Sequence, residues 1–518
     1  MLQDITAQID SSSFPYLATI LGVTSIAGTL GWRWWKQKNR YKSLQSLPSP
    51  PKHWLLGNLP QLLAAVKQKK YFQLLFDWSQ QLGPMYVYWT SHPVLVLSQA
   101  KVIEDTIVNG MRDGSLVRSQ KTIKAWNDIS GPILFGQNGS EWQWRRKAWN
   151  PEFTSTNLSK YLEIISQACK QVIETLKKAP PAKEVEVDPL FVELTMRVIC
   201  SIVLGIPVDR KCTNHEGPPL EILKMYEAMC ILSYHFLRQA TGEKTWMKYL
   251  PSKNSRDYWA ARRYFGDFLI PHVDLALQMR EQNQTDLPQV SPLFRESMLA
   301  KIAAKEPKYD RETLIAESIE LLIAGTDTTA HTLSFAVGEL GLNQRVFQQA
   351  RDIVDRAWQS KGCINTENLK ELAYIRAIIK ETLRLYSVAS GSTPLEAQRD
   401  TVIEGKVIPR GTTISWSMLA AGRDPEVYAN PEVFLPERWL DKSKETSSLL
   451  MIDFGSGLHR CLGEHLSMLE STLMLALLLH YFDWELVNGR SSLEELQQNL
   501  LISPSDKMPV RFRLRNWE

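Results

Sequence analysis

Most of the chain carries apolar residues at intervals of three and four, which is the spacing that places them on one face of an α-helix. The helices that this spacing predicts cover about residues 156–178, 186–205, 219–240 and 255–282. Short apolar runs predict strands near residues 85–97 and 401–414 and close to the C-terminus. The pattern therefore predicts a mainly α fold with a small β subdomain.

A further predicted helix, from about Arg311 to Leu340, contains a segment that is poorly suited to a helix. Residues 324–329 read Ala-Gly-Thr-Asp-Thr-Thr, and glycine or β-branched residues cost roughly 0.5–1 kcal/mol each against alanine inside a helix. Residues with poor helix propensity in the middle of a buried helix indicate a functional site. Asp327 and Thr328, an acid beside an alcohol, would form a short proton relay there. The alternative is a capping segment between two shorter helices, with Asp327 as the N-cap.

The segment from Phe454 to Gly463 offers one cysteine in a glycine-containing loop that leads into another helix. That helix is predicted by the spacing of Leu462, Leu466, Leu469, Leu473 and Leu477. Backbone N–H groups at a helix start stabilise a thiolate, and glycines let the backbone approach a flat macrocycle. Cys461 is therefore a candidate axial ligand of a haem iron.

Three other interpretations of this loop compete with a haem ligand. A dinucleotide-binding G-x-G-x-x-G motif that begins at Gly455 fails, because its third glycine would fall at Arg460. A zinc site of His459, Cys461 and His465 lacks the paired spacing of known zinc ligands. The third interpretation is a buried structural cysteine. The polar segment at residues 324–329 of the predicted long helix makes this interpretation less favoured.

Two further groups of residues share helix faces. Glu381 and Arg384 can pair, and Arg438 from a proline-containing segment can share the carboxylate. Because buried paired charges usually build structure, this triad is predicted to support the cysteine loop. Trp142 and Arg146 offer N–H donors to an anion such as a haem propionate, and the alternative is a snorkelling surface arginine beside a half-buried tryptophan.

Composition favours one large domain, over residues 47–518. The chain has 518 residues, of which 44% are hydrophobic, and no long low-complexity linker divides it. A formal net charge of +4 is too small to indicate nucleic-acid binding. The six cysteines show no disulfide-scaffold spacing and suit a reducing compartment. Arg145, Lys147 and Arg460 predict either a docking face for an acidic electron donor or a solvated charged surface.

Residues 1–46 are predicted to form a membrane anchor and a basic linker. Residues 15–32 carry no charge, and five lysines and arginines follow between Arg33 and Lys42. This pattern predicts a single membrane helix whose C-terminal side faces the cytosol. A cleaved signal peptide and a surface-lying helix are the alternatives. Residues 47–51, Leu-Pro-Ser-Pro-Pro, would form a stiff hinge.

Taken together, these motifs resemble the cytochrome P450 family over residues 47 to the C-terminus. The family's cysteine loop is matched by Phe454, Gly457, Cys461 and Gly463, and its distal helix by Ala324 to Thr329. Its ExxR helix is matched by Glu381 and Arg384, and its meander arginine by Arg438. Its WxxxR helix is matched by Trp142 and Arg146. The order and spacing of the motifs are those of the family.

The resemblance implies the cytochrome P450 fold and a haem b group ligated by the Cys461 thiolate, which pushes electron density toward O–O cleavage. It implies a monooxygenase that inserts one atom of O₂ into a hydrophobic, lipid-, terpenoid- or sterol-like substrate, with Asp327 and Thr328 delivering protons. Electrons would come from a diflavin reductase or a ferredoxin. The expected location is a membrane, the endoplasmic reticulum in a eukaryote. The alternatives are an isomerase or dehydratase that acts without O₂, and a non-catalytic membrane-tethered haem-binding protein.

The chain departs from the family pattern at three places. His459 replaces the usual arginine two residues before the cysteine, so a propionate partner there would have a pH-dependent charge. Ser387 and Ser390 stand where the family usually has prolines. The arginine expected a few residues later is replaced by Pro394 and Leu395, and Arg399 lies further along the chain.

Overall fold

A computed structural model describes residues 39–180, 183–208, 222–241, 243–282, 290–365, 367–389, 393–440 and 454–515. The α-helices are α1 (Leu59–Lys67), α2 (Tyr71–Leu82), α3 (Ala100–Arg112), α4 (Gln120–Ile129), α5 (Gly139–Trp149), α6 (Ser155–Lys177), α7 (Val187–Leu204), α8 (Ile222–Ala240), α9 (Lys253–Glu281), α10 (Pro292–Arg295), α11 (Met298–Lys305), α12 (Arg311–Leu342), α13 (Gln344–Lys361), α14 (Ala373–Tyr386), α15 (Met418–Ala421), α16 (Glu464–Tyr481) and α17 (Ser491–Glu494). Short 3₁₀ turns cover Lys42–Ser46, Leu134–Gly136, Asn150–Phe153, Thr245–Tyr249, Asn368–Leu372, Pro436–Trp439 and Gly457–His459. The predicted helix-dominated fold is confirmed.

Small sheets lie beside the helical body. The strands are β1 (Met85–Trp89), β2 (Pro93–Leu97), β3 (Leu116–Arg118), β4 (Glu184–Glu186), β5 (Leu395–Ala397), β6 (Thr401–Ile403), β7 (Lys406–Ile408), β8 (Thr413–Trp416), β9 (Phe482–Leu486), β10 (Leu496–Gln498), β11 (Ile502–Pro504) and β12 (Pro509–Leu514). One sheet has the order β1-β2-β8-β5-β3, in which only the β2–β8 pair is parallel. The other sheets are β4-β12-β9, β10-β11 and β6-β7. The predicted strands at 85–97, at 401–414 and near the C-terminus are therefore present.

Helix α12 runs through the core as one continuous helix of 32 residues. Asp310, not Asp327, is its N-cap, and accepts a hydrogen bond from the Thr313 N–H at 2.8 Å. The alternative of two shorter helices is thus wrong, because burial of the whole segment outweighs its poor helix propensity. A Cβ at Gly325 would lie 2.7 Å from the Ile199 side chain of α7, so a larger residue there would force Ile199 to move.

The N-terminal part of the described chain packs onto the five-stranded sheet. Tyr41, Leu44 and Leu47 are buried together with its apolar residues. Among the helices within the described ranges, none is both long enough and apolar enough to cross a membrane. The predicted membrane helix at residues 15–32 lies outside those ranges.

Candidate functional site

The cysteine loop is held in shape by its backbone. The Cys461 N–H donates to the Phe454 carbonyl at 2.7 Å, which closes the loop around a 3₁₀ turn. Gly455 and Gly457 adopt φ angles of +72° and +67°, a region that is strained for other residues. Helix α16 then begins at Glu464, three residues after the cysteine. The loop therefore presents its sulfur just before a helix N-terminus, as the sequence predicted.

Two opposing effects act on the Cys461 thiol. Burial raises the pKa of the thiol above its usual value, and the charge of Glu464 also raises it, although hydrogen bonds from the backbone N–H groups of Gly463 and Glu464 lower it. Arg146 also favours the thiolate. A metal cation bound to the sulfur would deprotonate it outright. Within the described ranges no group of three or more His, Cys, Asp or Glu side chains could hold a metal ion, so the zinc alternative lacks a ligand set there.

One stripe along the middle of α12 is only partly buried. Leu321, Ala324, Gly325 and Thr328 are partly exposed on a helix whose other central residues are buried, and their spacing places them on one face. The Thr328 hydroxyl donates to the Ala324 carbonyl at 2.6 Å, one turn back. On another face, Thr329 donates to Ser467 of α16 at 2.9 Å, which joins this segment to the helix that follows the cysteine.

Asp327 is buried beside this stripe. Burial raises the pKa of its carboxyl to about 6, with His331 lowering it and Asp188 raising it further. Its Oδ1 atom has no hydrogen-bond partner among the described residues. A carboxyl with this pKa can both take up and release a proton near neutral pH.

Four N–H-bearing side chains meet next to the loop. The rings of Trp142 and His459 lie with centroids 4.2 Å apart. Burial, together with the charges of Arg118 and Arg146, lowers the pKa of His459 to about 2, so the imidazole is neutral. Its buried Nδ1 has no hydrogen-bond partner in the described part of the chain. This cluster of Arg118, Arg146, Trp142 and His459 fits the carboxylates of an anionic cofactor better than it fits any side chain around it.

The sequence did not single out Arg118, which is 5% exposed and ends β3. Its guanidinium donates to the carbonyls of Leu134 and Gln137, at 2.9 and 3.2 Å. Arg399, by contrast, pairs with Asp113 on the surface at 2.9 Å and takes no part in the cluster. Arg118 stands in a short strand whose neighbours alternate between buried and half-buried positions. The only sequence signal that could have indicated Arg118 was that this arginine occupies a position of the strand that alternation predicts to face the interior.

Two other sequence predictions have different outcomes. Arg145 is only 4% exposed and pairs with Glu317 at 3.1 Å and Glu141 at 3.0 Å, so it cannot belong to a docking face. Ser387 adopts a φ of +40° after α14, where its N–H donates to the Leu383 carbonyl. Ser390 lies outside the described residues.

Glu381 lies at the centre of a buried charge cluster. Its carboxylate accepts hydrogen bonds from Arg384 at 2.8 and 2.9 Å, from Arg438 at 3.0 Å and from the Trp439 indole at 2.9 Å. The Leu435 N–H donates to it at 2.8 Å. Arg384 continues to the carbonyls of Gly422, Pro431 and Val433. The cluster therefore fixes the segment that precedes the cysteine loop onto α14.

A glycine-containing loop with one cysteine, a neighbouring helix with an acid and an alcohol, and a cluster of N–H donors beside the loop together suit a thiolate-ligated haem. This places the chain in the class of haem-thiolate proteins. Comparison with known proteins agrees: the model of the family described as Cytochrome P450 matches residues 47–512. The chain belongs to the cytochrome P450 family of haem-thiolate monooxygenases.

Similar curated proteins come from plants. Cytochrome P450 71B26 of Arabidopsis thaliana is 27% identical over 475 residues, which cover 88% of this chain and 89% of the relative. Cytochrome P450 71A1 of Persea americana is 28% identical, with 83% and 84% covered. Cytochrome P450 71D8 of Glycine max is 27% identical, with 86% and 89% covered. The family binds haem through a cysteine thiolate and works with O₂, a redox partner and a hydrophobic substrate.

Proposed function

We propose that this chain is a membrane-anchored monooxygenase that inserts one oxygen atom into a lipid-, terpenoid- or sterol-like substrate, and that the Cys461 thiolate would hold haem b. The observation that carries the proposal is a hydrogen bond between two helices. Thr329, which follows Asp327 and Thr328 on α12, donates to Ser467 of α16, the helix that follows Cys461. An isomerase or dehydratase that acts without O₂ would have no use for an acid and an alcohol in this place. A binding protein without turnover would have no use for them either.

The residues around the site have distinct roles in this proposal. When bound, the haem supplies the redox chemistry that activates O₂. Cys461 holds the group from one side, with Phe454 packed beside the sulfur and Gly457 and Gly463 leaving room for the macrocycle. Asp327, whose carboxyl has a pKa of about 6, would take up and release protons near neutral pH, and the hydroxyl of the adjacent Thr328 would hold a proton on the partly exposed stripe of α12.

Replacing Thr328 with alanine is expected to separate cofactor consumption from product formation. NADPH and O₂ would still be consumed with a suitable reductase, but product per NADPH would fall roughly tenfold because a positioned proton donor is lost. Hydrogen peroxide release would rise in its place. The matched control is Thr326→Ala, since Thr326 also donates to a carbonyl one turn back, at 2.7 Å, but is fully buried away from the stripe. Equal coupling in the two variants would refute the role of Thr328.

Arg118, Arg146, Trp142 and His459 are assigned to the haem propionates. A charge-assisted hydrogen bond contributes about 1.5–3 kcal/mol, so Arg118→Gln is expected to weaken haem binding roughly ten- to a hundredfold. Haem transfer to an excess of apomyoglobin measures this loss. Arg399→Gln, which removes an exposed arginine, is the control and should retain haem as the wild type does. If Arg118→Lys loses haem as fast as Arg118→Gln, the residue supports the fold rather than the propionate.

The finer assignments rest on the sequence. We assign residues 1–46 to the anchor and linker and residues 47–518 to the catalytic domain, which faces the cytosol, at the endoplasmic reticulum in a eukaryote. The electron donor is a diflavin reductase or a ferredoxin. The substrate class is tested by spectral titration of the ferric protein with lauric acid, farnesol, cholesterol and β-carotene, because displacement of water from the iron shifts the haem absorption. Failure of all four to shift it would overturn the proposed substrate class.

A further inference from the structure

The 3₁₀ turn Leu134–Gly136, between α4 and α5, is held from two sides. On one side, the Phe135 N–H donates to the Glu320 Oε1 atom of α12 at 3.0 Å. On the other side, the Leu134 carbonyl accepts a hydrogen bond from the Arg118 guanidinium at 2.9 Å. The turn therefore lies between a carboxyl group of α12 and one arginine of the donor cluster beside the cysteine loop.

Arg118 is bonded to this segment through its backbone and through its side chain. The Asn138 side chain accepts from the Arg118 N–H at 3.1 Å and donates to the Arg118 carbonyl at 2.9 Å. The Cζ atom of Arg118 lies 5.9 Å from the centroid of the Phe135 ring. The guanidinium bonds go to backbone carbonyls, which carry no charge, so the positive charge is available to an anion. The position of the turn therefore sets the position of this charge.

Glu320 is a buried acid whose bonding is incomplete. It is 4% exposed, and its Oε2 atom has no hydrogen-bond partner among the residues that the structure describes. Burial raises the pKa of its carboxyl well above the usual value, and the charge of Glu317 raises it further, although the Phe135 N–H and the charge of Arg118 lower it. Burial thus favours the neutral acid. Toward the turn, Glu320 is a hydrogen-bond acceptor rather than a counter-charge.

We infer that Glu320 positions Arg118 for a carboxylate of the cofactor by holding the turn Leu134–Gly136 through the Phe135 N–H. The inference rests on the proposed assignment of Arg118 to a haem propionate and extends it to α12, the helix of the proposed proton donors. A buried N–H that loses its acceptor is unfavourable. Without Glu320 the turn would shift and the Arg118 guanidinium would move with it. Glu320 acts through Arg118 and is thus a positioning residue.

Two substitutions of Glu320 in the haem-loaded protein test the acceptor. Glu320→Gln keeps an oxygen that accepts from the Phe135 N–H, and it should hold haem as the wild type does. Glu320→Leu removes the acceptor at a similar size, so haem transfer to apomyoglobin should be roughly tenfold faster. Amide exchange of the peptide that contains the turn, followed by mass spectrometry, should also be faster in Glu320→Leu alone. Equal transfer rates for the two variants, whether fast or slow, would overturn the inference.

A double substitution shows whether Glu320 acts through Arg118. In that case, adding Glu320→Leu to Arg118→Gln should change the haem transfer rate by less than about twofold. Independent effects would instead multiply, and that result would contradict the positioning role. The reduction potential of the haem is a second readout, because a nearby positive charge stabilises the reduced iron. Both single variants should lower it, and an unchanged potential in Glu320→Leu would also contradict the role.

The matched control is Glu339→Leu, because Glu339 is another buried acid of α12, 2% exposed, and accepts from the Tyr386 hydroxyl. This variant should unfold at lower urea concentration and transfer haem within about twofold of the wild-type rate. Haem loss as fast as in Glu320→Leu would mean general destabilisation and overturn the inference. Wild-type transfer in Arg118→Gln overturns the propionate assignment, and the inference with it. Fast transfer in Arg118→Gln with wild-type transfer in Glu320→Leu overturns the positioning role alone.

Discussion

Replacing Cys461 with serine is expected to abolish monooxygenase activity, with less than about 1% of the wild-type rate remaining. A serine hydroxyl does not ionise near neutral pH and cannot donate charge to iron as a thiolate does. The reduced protein under CO should therefore lose the absorption band of thiolate-ligated haem. The loop itself should persist, because its closing bond runs from the backbone of residue 461 to the Phe454 carbonyl.

The matched control for Cys461 is another cysteine of the same chain. Cys363 is exposed, and Cys363→Ser should leave both the CO band and the turnover unchanged. The stricter comparison is Cys200→Ser, because Cys200 is buried in α7 and burial raises the pKa of its thiol to about 12. This variant should lose some stability and keep the band. Retention of the band in Cys461→Ser would show that another residue ligates the iron.

The second large effect is expected at Glu381, whose carboxylate is completely buried among Arg384, Arg438 and Trp439. Glutamine has nearly the same shape but no charge, so Glu381→Gln leaves two guanidinium groups without their counter-charge. Breaking a buried ion pair from one side costs about 3–5 kcal/mol, which is a large fraction of the stability of a domain. We expect a protein that is poorly folded at 37 °C and holds little haem.

The control for Glu381 is Glu432, whose side chain is 71% exposed and pairs with Arg423 at 3.1 Å. Exposed pairs contribute about 0–1 kcal/mol, so Glu432→Gln should unfold close to the wild type. Urea denaturation followed by circular dichroism, with haem content measured in parallel, gives both quantities. Comparable unfolding free energies for the two variants would contradict the structural role of the Glu381 cluster.

The sequence predicted the helices well because their signal is local. The spacing of apolar residues alone gave the four stretches that became α6, α7, α8 and α9, to within a few residues. The predicted helix from about Arg311 to Leu340 is confirmed, and it continues through the segment around Asp327. The alternative, a cap between two shorter helices, is wrong, because the segment is packed against α7 within one continuous helix.

The site was predicted where its residues stand close together in the chain. Glu381 and Arg384 are three apart, Asp327 and Thr328 are adjacent, and such spacings already define geometry on a helix. Arg118 was missed, because it reaches the donor cluster from a three-residue strand far from Arg146 and His459 in sequence. The close pair of His331 Nδ1 and Asp188 Oδ1, which are 2.7 Å apart and join α12 to α7, was missed for the same reason, since 143 positions separate its members.

The sequence by itself determined that this chain is helical, that it offers one cysteine before a helix, and that an acid and an alcohol lie in the middle of a buried helix. These are properties of neighbouring residues, and backbone geometry converts their spacing directly into faces and turns. Only the tertiary structure decided which arginines stand beside the cysteine loop, that His459 is neutral, and which groups surround Asp327. Those properties depend on burial and on charges that folding brings together from distant segments, and no local pattern encodes either one.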